Sequence, residues 1–247
     1  MLAVIAAVLT VLFLIPSLTA RAEGVFGRLE AAGTMLYGDY SAFYLDSGTY
    51  LRLGSSLAVG GSLANTGADS EVREFFQDNI RSSATDGLSD ITRLPGEALI
   101  TVPALALFYL STDNTWAERS LRALFLGGPL GVFLRSATGG GRPNEGGSDW
   151  KPFSNNNGLS GHSFIGAVPF ITAAKMEERT YARWLLYGAS ALPALSRVND
   201  DEHYLSQAAL GWYLAYLSAS AVEKAGALPL TVSPYKDGAF VSLTLVF

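Results

Sequence analysis

Four charge-free apolar runs constrain this 247-residue chain most: residues 98–112, 123–134, 184–196 and 204–222, which are 15, 12, 13 and 19 residues long. A membrane-spanning helix needs about 20 apolar residues. Only 204–222 approaches that length, and it carries Ser206, Gln207, Ser218 and Ser220. Such runs suit the buried helices of a globular body better than a multi-span bundle. Hydrophobic residues make up 49% of the chain and mean hydropathy is +0.25, which implies dense helical packing or contact with a membrane surface. A formal charge of −5 and a pI near 5.1 give no support to nucleic-acid binding. Cysteine is absent, which excludes disulfides and thiolate metal sites.

Residues 1–18 are apolar and uncharged and lead to Ala20-Arg21-Ala22. An apolar core followed by an Ala-x-Ala site predicts a signal segment over 1–22 and an exported, periplasmic protein. No Lys or Arg precedes the apolar run, so an uncleaved anchor is the alternative. Residues 23–70 are expected to form a lead-in, irregular or briefly β-stranded over 23–46 and loosely helical over 48–65. The body, residues 71–225, is expected to be mainly α-helical. Its first helix runs from 69 to about 81, capped by Asp69 or Ser70. A polar break over 82–87 and a helix led by Pro95 over 98–110 follow. A helix over 116–134 is interrupted at Gly127-Gly128-Pro129, and a polar loop spans 144–157. Helices are then expected over 163–176, 181–195 and 204–222. The tail, residues 226–247, reads as a small β-hairpin around Lys236-Asp237-Gly238.

Three pieces of the body concentrate chemistry-bearing residues. Arg135 is followed after six residues by Arg142-Pro143, across Thr138-Gly139-Gly140-Gly141, a permissive turn that lets two guanidinium groups converge on one anion. Ser160-Gly161-His162 opens a helix, where backbone N–H groups cradle anionic oxygen and an imidazole in the first turn lies within reach of a leaving group. Ser196-Arg197 is followed by an acidic loop, Asp200-Asp201-Glu202, then His203 and Gln207. Positions 203 and 207 share a helix face, so Gln207 can accept the Nδ1–H of His203 and leave Nε2 as a nucleophile. Each piece alone has an ordinary structural reading: a capped helix end, a Ser cap, a solvated acidic loop. Four consecutive loop residues cannot all aim at one ion, so no metal site is expected there.

Taken together, the order and spacing of the pieces resemble the type 2 phosphatidic acid phosphatase family, within the superfamily of vanadium haloperoxidases and class A acid phosphatases. That family's pattern is Lys-x6-Arg-Pro, Pro-Ser-Gly-His and Ser-Arg-x5-His-x3-Asp, and the resemblance covers residues 85–222. It implies a helical bundle of the acid phosphatase type and a metal-independent phosphatase. It also implies that Arg135, Arg142 and Arg197, with the Ser160 and Gly161 amides, bind the phosphoryl oxygens. His203 would attack phosphorus and form a phosphohistidine, and His162 would protonate the leaving oxygen and then activate water. Three positions depart from the pattern. Arg135 stands for lysine and adds a bidentate fork. Leu159 stands for proline. Gln207 stands for the aspartate behind the nucleophile, so weaker support of the imidazolium, or compensation from Asp200, Asp201 or Glu202, is expected.

The substrate class expected is a phosphomonoester or diphosphate, lipid-borne in view of the apolar composition, with the membrane surface as a partner. No cofactor is expected. Vanadate is expected to mimic phosphate as an inhibitor, or to serve as cofactor if the chain is a haloperoxidase. The neutral Gln207 motivates one more alternative, a non-enzymatic envelope protein that retains the phosphate cage.

Overall fold

The computed structural model describes residue 35, residues 38–226, and the backbone of 230–235 and 238–243. The expected signal segment lies outside the described residues. Residues 38–44 are helical, where the sequence suggested an irregular or stranded lead-in. Two contacts fix this stretch on the body. Asp39 is fully buried and accepts from Arg122 Nε and Nη2, each at 2.7 Å, and Tyr44 Oη donates to the Leu126 carbonyl at 2.9 Å.

Eight helices then follow: α1 (Ser47–Asn65), α2 (Ala68–Asn79), α3 (Ser83–Thr92), α4 (Ala98–Thr112), α5 (Thr115–Thr138), α6 (Gly161–Met176), α7 (Thr180–Asn199) and α8 (Leu205–Gly226). The described residues are thus mainly α, as expected. Short 3-10 turns at Leu94–Gly96 and Pro143–Glu145 join α3 to α4 and follow α5. The stretch read as a polar break over 82–87 instead begins α3. Ser82 Oγ accepts from the Thr85 N–H while Thr85 Oγ1 accepts from the Ser82 N–H, a reciprocal cap that starts a helix. Backbone strands β1 (Leu230–Tyr235) and β2 (Gly238–Leu243) are assigned as antiparallel, Leu230 opposite Leu243. Their turn and side chains lie outside the described residues, so the tail hairpin stays an expectation.

The interruption expected at Gly127-Gly128-Pro129 does not occur, and α5 runs through it. Gly127 serves packing: a Cβ there would stand 2.7 Å from the Phe164 ring and 2.9 Å from Ser218 Oγ. Its absence lets α5, α6 and α8 meet closely. α8 lies at the centre, packed on α1, α5, α6 and α7 and buried along most of its length. Gly211 of α8 likewise leaves no room for a side chain against the Ser160 carbonyl. That approach seats the start of α6 beside the start of α8, where the motif residues lie. Among the described residues no single helix is long and apolar enough to cross a membrane. α3 with its 3-10 turn and α4 reach that length and composition only as a pair bent by 54°.

Asp69 does not cap its own helix. Gly67 takes the cap position of α2 in left-handed conformation, without a side-chain bond. The fully buried Asp69 carboxylate reaches α8 instead, accepting from the Ser206 N–H at 3.0 Å and Ser206 Oγ at 2.5 Å. A carboxylate at the first turn of a helix satisfies an orphan donor and complements the helix dipole. Asp69→Ala is expected to lower the unfolding free energy by roughly 2–4 kcal/mol, measured by urea denaturation.

Candidate active site

Arg135 lies in the last turn of α5, which Gly139 ends in left-handed conformation (φ 66°). Its Nε donates to the Asn156 carbonyl at 2.9 Å, and its Nη1 lies 4.0 Å from where a Cβ on Gly161 would stand, at the start of α6. Burial, and then the charge of Arg142, hold its pKa below the ordinary guanidinium value, though a guanidinium remains charged at any working pH. Arg142 follows the three glycines, as the turn predicts. Its Nη1 donates to Glu202 Oε2 at 2.6 Å and its Nε to Asn157 Oδ1 at 3.3 Å. Arg197, near the end of α7, is buried and faces Asp200 at 3.4 Å and Glu202 at 3.5 Å. Its Nε has no hydrogen-bond partner among the described residues. A buried donor left so is costly and fits an acceptor supplied by a ligand.

His203 is 5% exposed, and its Nδ1 lies 2.8 Å from Gln207 Oε1. The amide orientation is fixed by its other partners. The Tyr204 N–H, which can only donate, faces Gln207 Oε1 at 3.2 Å, and the Gly141 carbonyl, which can only accept, faces Gln207 Nε2 at 2.7 Å. Gln207 Oε1 therefore accepts from His203 Nδ1–H, and Nε2 of the ring keeps its lone pair. Burial is the main reason that the ring's pKa falls from 6.5 to about 4. The Gln207 bond opposes that fall, and the charges of Arg142, Arg197 and Arg135 deepen it. All three motif arginines thus act on one neutral imidazole.

The acidic loop does not back His203, and its carboxylates, though partly exposed, are all paired with side chains of the body. Asp200 accepts from Ser89 Oγ at 2.5 Å and faces Arg197, Asp201 takes Arg73 through two 2.5 Å bonds, and Glu202 bridges Arg142 and Arg197. The compensation expected from these acids goes to the arginines rather than to the ring. Ser160 is not free to hold an anion through its own amide. Its buried side chain caps α6, Oγ accepting from the Ser163 N–H at 3.3 Å, but its own N–H donates to the Gln207 carbonyl at 2.9 Å. Of the two amides expected to hold an anion, only that of Gly161 remains at the helix start.

His162 sits in the first turn of α6, with Nε2 3.1 Å from Glu97 Oε1. Sequence reasoning missed Glu97, which lies 65 residues away without a local pattern, and also missed Glu202, Asn156 and Asn157 as the side chains and carbonyl that hold the arginines. The Asn-rich loop composition was the one signal available for the last two.

Residues 105–225 match the family model described as the PAP2 superfamily. The helical body from residue 105 onward belongs to the PAP2 superfamily. The match spans all three motif pieces and begins inside α4, so α1–α3 and Glu97 lie ahead of it. PAP2 membership carries a phosphatase-type activity on a phosphorylated substrate. No curated protein and no solved structure is matched by the chain.

The low His203 value has a stability consequence. Between about 6.5 and about 4 the unfolded ring binds a proton that the buried ring refuses, so stability present above pH 6.5 is lost as pH falls through that window. The loss totals roughly 2–4 kcal/mol. NMR titration is expected to place His203 well below the ordinary imidazole range, and His203→Gln is expected to flatten the acid limb of the stability curve.

Proposed function

We propose that this PAP2 protein is an exported, metal-independent phosphatase that hydrolyses a phosphomonoester or diphosphate, borne by a lipid, through a phosphohistidine. The observation that carries this reading is the neutral, oriented ring of His203 set among three guanidinium groups. A phosphoryl group held there meets Arg135, Arg142 and Arg197 on its non-bridging oxygens, with the Gly161 amide at the α6 N-terminus as a further donor. Three fixed cations supply the charge that a divalent ion supplies in other phosphoryl-transfer sites. His203 Nε2 attacks phosphorus in line and His162 gives a proton to the departing oxygen. Water, activated by His162, then cleaves the phosphorus–nitrogen bond. Vanadate, having the shape and charge of phosphate, is expected to inhibit.

The lipid reading draws support from exposed apolar side chains around Glu97, the partner of His162: Leu94, Leu99 and Ile100. The Ala-x-Ala segment ahead of residue 23 supports export.

The test offers the whole chain p-nitrophenyl phosphate, phosphatidic acid and isoprenyl diphosphate in excess chelator. Release is expected on all or some of these, falling at least about 1,000-fold in His203→Ala. Gln207→Asp shortens the side chain and removes the donor to Gly141, and is expected to lose about 100-fold rather than gain. A requirement for added metal overturns the metal-independent mechanism. Absence of release favours a non-enzymatic protein that keeps the cage, and bromide oxidation with vanadate and peroxide favours a haloperoxidase.

A further inference from the structure

Glu97 occupies the cap position of α4 but makes no side-chain bond to that helix. Its carboxylate crosses to α6 and meets His162 Nε2 at 3.1 Å. The placement is built rather than incidental. The 3-10 turn before Glu97 is closed by Gly96 N–H to Arg93 O at 2.8 Å and Glu97 N–H to Leu94 O at 3.1 Å, and Thr101 Oγ1 braces it by donating to Pro95 O at 2.7 Å. Gly96 presses on α6 so closely that a Cβ would stand 2.8 Å from the His162 carbonyl and 3.0 Å from its Cβ. Only glycine lets the turn lie there and put residue 97 in reach of the ring.

The two histidines therefore have opposite partners. Behind the buried His203 stands a neutral amide, which suits a ring that must be unprotonated to attack. Behind His162 stands a carboxylate, which can only accept and so takes the N–H of the ring nitrogen it touches. The bond from His162 is the largest influence holding the Glu97 carboxyl below the usual carboxylate range, so Glu97 stays ionised.

We propose that Glu97 is a positioning residue for the proton donor: it holds His162 by Nε2–H and so assigns Nδ1 as the nitrogen that exchanges a proton with substrate and water. This rests on the phosphatase reading above. In the first half-reaction the Nδ1 proton passes to the leaving oxygen as the phosphorus–oxygen bond breaks and the His203 Nε2–phosphorus bond forms. In the second, the Nδ1 lone pair takes a proton from water as the water oxygen bonds to phosphorus and His203 recovers its electron pair. Nε2–H stays on Glu97 throughout.

The test compares kcat/KM, which reports steps only up to phosphohistidine formation, for p-nitrophenyl phosphate and an alkyl phosphate. A p-nitrophenolate leaves with little help from an acid, whereas an alkoxide does not leave without one. Glu97→Gln is expected to cut kcat/KM about 100-fold on the alkyl phosphate and no more than about threefold on the aryl phosphate. Glu97→Asp, which keeps the charge, is expected to recover part of the loss. In a His162→Ala background Glu97→Gln is expected to add nothing. Equal losses on both substrates, or no loss on either, overturn the assignment of Glu97 while leaving the phosphatase reading intact. No release from either substrate by the wild-type chain overturns that reading itself.

Discussion

One buried amide ties the three motif pieces together. The Gln207 side chain accepts from His203 and Tyr204 at the head of α8 and donates to Gly141 in the turn after α5, while its carbonyl accepts the Ser160 N–H at the start of α6. Each such bond contributes only about 1 kcal/mol net, but leaving any of them unmade in a fully buried site costs the whole desolvation penalty. A carboxylate in this place cannot donate to Gly141. The departure from the resembled pattern at Gln207 is thus a different solution to the same geometric problem, one in which the residue that orients the His203 ring also seats the glycine turn before Arg142.

The electrostatics follow from that choice. Burial, and then repulsion from Arg142, lowers the pKa values of Arg135 and Arg197. Asp200 and Glu202 offset part of this by pairing with Arg197 and Arg142. They are placed on the cations rather than behind His203, so the ring stays neutral and its lone pair stays available. Stability is given up locally to hold charge in place, and on the proposed function that is how a preorganised site lowers a charged transition state.

Much of this was legible in the sequence. The apolar runs marked the helices of the body, and the spacing of His203 and Gln207 announced their contact, although His203 lies two residues ahead of α8 and Gln207 reaches back to it from the first turn rather than along a shared helix face. The triple glycine likewise announced the turn that brings Arg142 back beside Arg135. The failures share a cause. Gly127-Gly128-Pro129 looked like a break because its glycine answers to Phe164 and Ser218, on helices distant in sequence. Asp69 looked like a local cap, yet it serves Ser206, 137 residues away. Ser82 was the opposite case, a local cap whose reciprocal partner Thr85 lies outside the usual Glu or Gln signature. The acidic loop was misjudged because its partners Arg73, Ser89 and Arg142 arrive from other elements.

The central claim, that His203 is a nucleophile held neutral by burial and oriented by Gln207, is tested most directly by trapping the intermediate. The chain is quenched in alkali during turnover of a labelled substrate in chelator, and the modified peptide is identified by mass spectrometry. The account predicts an acid-labile, alkali-stable phosphoryl group on His203 that disappears in His203→Ala. A phosphoryl group on another side chain, or turnover in which His203 is never modified, contradicts it.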